Sequence, residues 1–334
     1  MVKVSTDFWR ERPVLVTGCT GMLGSWLTGA LVERGADVVG LVHDWVPQSQ
    51  LVISGTYERI KIARGSVTDY TLLERVLAEY EIETVIHLAA LSTAPTARRN
   101  PLLAFETNIK GTWLVLDAAR RTDTVKRVLV ASSDKAYGTH EQLPYTEDMP
   151  LLACYPYGVS KACAEMLAHT YAVTYDLPVG ITRCANLYGG GDLNWNRIIP
   201  GTIRSVIHGE RPVIRSDGSP MRNYLFVQDA VTGYLQLAEM LDDPALHSQV
   251  FNFGMDVPQS VLNVVQAIIA SSDHPEIKPL IMGQASNEIH VQYMSSVKAK
   301  QLLGWTPAYT LEQALRETWV WYKTFFGENV KRKT

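Results

Sequence analysis

The sequence predicts an α/β protein built on a doubly wound parallel sheet, and three observations carry that expectation. Short β-rich runs alternate with helical patterns through the first half of the chain. The runs are apolar throughout rather than alternating, as strands covered on both faces should be. A glycine-rich turn, "TGCTGMLG" (17–24), joins the first run to the first helical pattern. In such sheets ligands bind beyond the carboxyl ends of the strands.

The elements follow in order. "PVLVTG" (13–18) reads as a strand and "MLGSWLTGALVERG" (22–35) as a helix stopped by Gly35. "DVVGLV" (37–42) is a second strand, "YERIKIARG" (57–65) a third, and "YTLLERVLAEY" (70–80) a helix. "TVIHLAA" (84–90) is a fourth strand, followed by a long helix over 102–121. "RVLVASS" (127–133) is a fifth strand, 156–175 a second long helix, and "PVGITRC" (178–184) a sixth strand. After about residue 186 the pattern becomes irregular, with helical periodicity at 260–271 and 311–325. We therefore expect a nucleotide-binding part over 1–185 and a mainly substrate-binding part over 186–334. Later strands from about 222–255 should rejoin the main sheet.

Composition narrows the function. At 334 residues, with 46% hydrophobic and 19% charged residues, the chain has the mix of a soluble globular protein. A net charge of −3 gives no reason to expect nucleic acid or an anionic membrane as partner. Cys19, Cys154, Cys163 and Cys184 are scattered without metal-ligand spacing, so no metal is expected and reduced thiols in a cytoplasm are. The apolar stretch 13–32 is broken by glycines and threonines and suits a strand, turn and helix better than a membrane span. The start, "MVKVSTDFWRER", lacks a signal-peptide core.

Gly18, Gly21 and Gly24 form a G-x-x-G-x-x-G turn between strand and helix. Such a turn lets backbone approach a pyrophosphate at a helix N-terminus, which makes Thr20, Met22 and Leu23 its neighbours in a dinucleotide site. An acid near the end of the second strand usually holds the ribose hydroxyls. Val42 occupies that place here, with His43 and Asp44 just beyond, so Asp44 is a displaced candidate and a solvated turn the alternative. The absence of an arginine there favours NAD over NADP.

Two further stretches carry chemistry. "VASSDKAYG" (130–138) crowds Ser132, Ser133, Asp134 and Lys135 at a strand end. "YGVSK" puts Tyr157 and Lys161 one turn apart at a helix start, on one face. A lysine so placed can depress a phenol's pKa toward neutrality. With 15 tyrosines in the chain, a chance match is the alternative.

Taken with "HLAA" (87–90), "TNIKGT" (107–112), "RCANLYG" (183–189), "RNYLFVQD" (222–229) and "LLGWTPAYTLEQAL" (302–315), these motifs resemble the extended short-chain dehydrogenases/reductases over nearly the whole chain. Within them the sequence is most similar to NAD-dependent nucleotide-sugar epimerases and dehydratases of the CDP-glucose 4,6-dehydratase kind. The resemblance implies a Rossmann-type fold, NAD as cofactor, a nucleotide-sugar substrate and a homodimer formed by helices 102–121 and 156–175. It implies that Tyr157 takes the 4-hydroxyl proton, that Lys161 holds the nicotinamide ribose, and that Ser133 bonds the reacting oxygen. Asp134 becomes the acid at the C6 oxygen and Lys135 the base at C5. Lys135 would need to be neutral, through burial or through Lys161. Ser66, Val67, Leu88, Ala89, Ala90 and Asn108 fall at cofactor positions, and Asn186, Arg197, Arg222 and Asn252 at substrate positions. Val42, Ser66 and Leu23 depart from the family pattern. A nucleotide-sugar 4-epimerase, or a dehydratase of UDP-glucose or UDP-GlcNAc, is the alternative.

Overall fold

The computed structural model describes residues 7–284 and 290–331. The first six residues of the "MVKVSTDFWRER" reading and the last three of the substrate part lie outside them.

Seven parallel strands form the central sheet: β1 (Pro13–Thr17), β2 (Asp37–Val42), β3 (Lys61–Arg64), β4 (Thr84–His87), β5 (Arg127–Ala131), β6 (Val179–Cys184) and, far along the chain, β11 (Val250–Phe253). Their spatial order is β3-β2-β1-β4-β5-β6-β11. The order reverses at β1, where a dinucleotide crevice opens in doubly wound sheets. Strand β1 shows why its run is apolar throughout. Val14 and Val16 join the core on one face with Leu27 and Leu31, while Leu15 joins the other with Leu73, Val76 and Leu116. Successive side chains point to opposite faces, and both faces are covered.

The remaining strands are short. β7 (Asn186–Tyr188) pairs with β10 (Tyr224–Phe226), and β8 (Val213–Ile214) with β13 (Leu280–Ile281). β9 (Met221–Arg222) lies between β12 (Gln259–Ser260) and β14 (Val291–Gln292). A third core holds this region to the C-terminal helix, with Ile199, Ile203, Val264, Ile268, Leu315 and Trp319 in contact.

Three expectations are corrected. Residues 57–65 do not form one strand: Thr56–Arg59 is a 3-10 turn entered from Gly55 at φ +73°, and the strand starts at Lys61. Helix 102–121 is interrupted by a π turn at Glu106–Lys110, between Pro101–Phe105 and Gly111–Arg120. The widened turn carries Asn108, whose side chain is fastened outside the helix; π turns often occur at such sites. Of the strands expected from 222–255 only β11 rejoins the main sheet; Tyr224–Phe226 pairs with β7 instead, and the helix Val227–Met240 fills the stretch that follows it. It lies in the core, with Ala230, Val231, Tyr234, Leu235, Leu237 and Ala238 buried, so no clean polar stripe betrays it.

Candidate active site

Gly18, Leu88 and the Ser133–Lys135 turn sit just past the carboxyl ends of β1, β4 and β5. At β1 the chain enters the turn through Gly18 at φ +73°, a backbone state that favours glycine. A Cβ at Gly24 would stand 2.1 Å from the Gly18 carbonyl oxygen, so helix Met22–Glu33 packs directly on the turn. Thr17 ties this turn to the next strand: its hydroxyl accepts from the Leu88 and Ala89 amides at 3.2 and 3.1 Å. His87 Nδ1 bonds the same hydroxyl at 2.8 Å, and its Nε2 meets Thr112 Oγ1 at 3.1 Å. Burial, with the nearby Lys161 charge, pushes the His87 pKa down to about 3, so the ring is neutral.

No side chain caps Met22–Glu33 at Gly21. Its first-turn amides remain for an anion, and the glycines allow that anion's backbone approach. The residues present therefore fit a dinucleotide pyrophosphate, with Thr20, Met22 and Leu23 around it. His43 and Asp44 form an exposed pair at 3.1 Å just past β2, and Val42 is buried in the strand. Ser66 lies past β3 with its hydroxyl on Thr68 at 2.8 Å; Val67 beside it packs on Gly111. Ala90 follows Ala89 at the end of β4. Gly24→Ala should weaken NAD binding by at least about tenfold, because the helix must withdraw from the turn; equilibrium titration with NAD checks it.

Asn108, a cofactor candidate by its place in the sequence, lies in the π turn. It is buried, with Oδ1 accepting from the Leu91 amide at 2.7 Å and Nδ2 donating to the Leu91 carbonyl and to Ser160 Oγ at 3.2 and 2.9 Å. Ser160 in turn donates to the Tyr157 carbonyl at 2.7 Å. Asn108 thus clamps the loop after β4 to the first turn of the helix that carries Tyr157.

That helix, Pro156–Tyr175, begins with proline at its first position. It meets the turn after β5 through Gly158, where a Cβ would stand 2.5 Å from the Lys135 carbonyl oxygen. The turn itself is a 3-10 segment, Asp134–Ala136, capped by Ser133, whose Oγ accepts from the Lys135 amide at 3.2 Å. Ser133 donates to Asp134 Oδ1 at 3.0 Å. Lys135 Nζ donates to Asp134 Oδ2 and to Gln292 Oε1, both at 2.8 Å. Asp134 is buried, while about a third of the Lys135 side chain is exposed. Lys161 is buried with Nζ donating to the Ala131 carbonyl at 2.7 Å, and burial lowers its pKa to about 8.

The structure corrects one electrostatic expectation. Tyr157 is not pulled toward neutrality. Burial pushes it up to about 12, with Asp134 adding to the rise; Ser133 and Arg197 oppose without prevailing. Lys161 spends its charge on a backbone carbonyl instead.

The substrate candidates divide. Arg197 precedes helix Ile198–Ile207, bonds Asp192 Oδ2 at 2.7 Å and the Leu187 carbonyl at 2.6 Å, and still favours the Tyr157 phenolate. Arg222, in β9, donates to the Met221 and His290 carbonyls. Asn186 donates to the Asn223 carbonyl at 3.2 Å. Asn252 lies within β11. It is fully buried, accepting from Tyr137 Oη at 2.8 Å and donating to the Tyr145 and Ser295 carbonyls. It is a cross-link beneath the site. Among the described residues, no group of three or more His, Cys, Asp or Glu side chains could hold a metal ion, and no helix is long and apolar enough to cross a membrane.

Residues 14–254 match the model of the NAD dependent epimerase/dehydratase family. The chain belongs to that family. Its cofactor is NAD. The CDP-glucose 4,6-dehydratase of Salmonella typhimurium is 30% identical over 98% of this chain and 95% of its own length. The dTDP-glucose 4,6-dehydratase of Xanthomonas campestris pv. campestris is 30% identical over 93% of each. The UDP-glucose 4-epimerase of Mycolicibacterium smegmatis is 28% identical over 91% of this chain and 96% of its own. Among solved structures, the dTDP-glucose 4,6-dehydratase of Bacillus anthracis in complex with NAD superposes with a TM-score of 0.80 at 25% identity, covering 94% of this chain and 97% of that one. Both halves of the family, dehydratases and epimerases, thus stand at similar distance. Gln292 was invisible to sequence reasoning because it comes from β14, more than 150 residues from Lys135.

Proposed function

We propose that the protein is an NAD-dependent nucleotide-hexose 4,6-dehydratase, with CDP-glucose the favoured substrate. The observation that carries this reading is the pair of buried Asp134 and half-buried Lys135, placed between Ser133 and the helix that bears Tyr157. An epimerase needs only a base at the 4-hydroxyl; loss of water across C5 and C6 needs a second base and an acid. NAD, when bound, supplies a hydride acceptor at C4 and its reduced form a donor at C6. Tyr157 receives the 4-hydroxyl proton, and Ser133 holds that oxygen. The resulting 4-ketone acidifies H5, Lys135 removes that proton, and Asp134 protonates the departing C6 oxygen. Lys135 then returns a proton to C5. Arg222 and Arg197 are the proposed diphosphate partners, since guanidinium groups suit phosphate oxygens.

Incubation with CDP-, UDP-, GDP- and dTDP-glucose and UDP-GlcNAc tests the reading. It expects a 4-keto-6-deoxy product, fastest from CDP-glucose. A C4 epimer as sole product would falsify it.

The assembly proposed is a homodimer through the two long helical segments. Leu102, Leu103 and Trp113 on the first and Met166 and Val173 on the second are exposed, an apolar face on two adjacent helices. Sedimentation should show a dimer of the 37.2 kDa chain, and Met166→Glu should shift it to monomer. A wild-type monomer would remove the proposal.

A further inference from the structure

We propose that Gln292 is a positioning residue for the elimination, holding Lys135 and Asp134 in the register from which the C5 proton is taken; this rests on the dehydratase reading above. One carboxamide engages both members of the pair. Its Oε1 accepts from Lys135 Nζ at 2.8 Å, and its Nε2 donates to the Asp134 backbone carbonyl at 3.4 Å. The second bond fixes which end of the amide faces the lysine. Gln292 is buried and stands on an anchored segment. Its register partner in β9 is Arg222, the next residue's carbonyl accepts from the Tyr145 amide at 2.9 Å, and the Met294 amide donates to Asn223 Oδ1 at 2.6 Å.

Residue type supports the role. Lysine carries a flexible four-carbon stem, and an ammonium with one acceptor can swing about it. A second acceptor removes that freedom. A neutral amide does so without adding a negative charge that would oppose loss of the proton. A glutamate at the same place would hold the lysine equally well and suppress its basicity.

Among the described residues the Asp134 charge acts on Tyr157 of helix Pro156–Tyr175, Cys184 of β6 and Tyr145 of the loop after β5, with Lys161 acting on Cys184 and Arg222 on Tyr145 beside them. All are unchanged in Gln292 variants, so a shift in a pH profile reports the amide.

The test compares wild type, Gln292→Leu and Gln292→Glu in single turnovers of the nucleotide hexose that wild type dehydrates. Absorbance of the reduced cofactor at about 340 nm separates C4 oxidation, which raises it, from the later steps, which discharge it. In Gln292→Leu the rise should stay within about twofold of wild type. Its decay should slow by about 10²-fold, the scale of a misplaced catalytic group. The acid limb of the decay rate should move to lower pH in Gln292→Leu and to higher pH in Gln292→Glu. The amide oxygen favours the ammonium less than a full negative charge does and more than a methyl group does. A purely structural role would slow rise and decay together and shift both limbs the same way, and either outcome overturns the proposal. Wild-type decay in Gln292→Leu overturns it as well. If Gln292→Leu melts early, Gln292→Met, which keeps the length, takes its place under the same criteria. A wild-type product that is only the C4 epimer fails the dehydratase reading itself, before any variant is compared.

Discussion

Replacing Tyr157 with phenylalanine is expected to lower kcat by about 10²–10⁴-fold, the range for loss of a positioned acid–base group. NAD affinity should change little, because the glycine turn after β1 is untouched. Single-turnover absorbance should then show no fast formation of reduced cofactor. The phenol sits at about 12 in the protein without cofactor, chiefly through burial, so it holds its proton at neutral pH until cofactor and substrate alter its surroundings. Lys161, one turn along the same helix, is the proposed aid to the phenolate once cofactor is bound, and its own pKa is lowered to about 8 by burial. Its charged form prevails below that pH. A role that depends on the charge is lost as pH rises through it, so kcat/KM should fall on an alkaline limb near 8. Lys161→Arg, which keeps its charge, should move that limb upward even if the overall rate drops. A profile flat through pH 8 in wild type would exclude a charged Lys161 as the partner of Tyr157.

What could be read from sequence follows from what is local. The strand ends were legible because a run such as Val14–Leu15–Val16 must bury both faces, and because Gly18 and Gly24 mark a turn that no larger residue fits. The neighbourhood of Tyr157 and Lys161 was legible for the same reason, since one helical turn fixes their spacing. Contacts between distant segments were not. Asn252 looked like a nucleotide ligand by motif, and only its bonds to Tyr137, Tyr145 and Ser295 show a cross-link. Asn108 looked like a cofactor contact, and its partners Leu91 and Ser160 make it a clamp. Electrostatics were least legible. Spacing put a cation near Tyr157, but desolvation and the Ala131 carbonyl decide where the charge acts. The buried ion pair of Arg183 with Glu165, stacked over Tyr137 at 4.3 Å, is another case in which only the fold reveals the partner.

Asp134→Asn and Lys135→Met are each expected to leave C4 oxidation nearly intact and to slow elimination by about 10²–10⁴-fold. Reduced cofactor should therefore accumulate in both variants, where Tyr157→Phe shows none. The double variant should be about as slow as either single one. That non-additivity follows from the geometry. Lys135 Nζ and Asp134 Oδ2 share one hydrogen bond at 2.8 Å. Moving the proton along that bond converts the ion pair into a neutral amine and a carboxylic acid, the base and the acid that elimination requires. Both forms have zero net charge, so the exchange does not change the pair's net charge. Removing H5 and protonating the departing oxygen then restores the ion pair. In the proposed elimination the two residues would thus act as one proton-exchanging unit, and disabling either half would disable the whole. Stability should fall less than activity. Loss of one partner of a fully buried pair costs about 3–5 kcal/mol. The Lys135 side chain is 32% exposed, and solvent screening reduces the loss to about 1–2 kcal/mol for Lys135→Met. Thermal melting alongside the transient absorbance separates the two effects. An epimerase would give neither the accumulation nor the non-additivity, because its chemistry ends at C4 and places no demand on the Asp134–Lys135 bond.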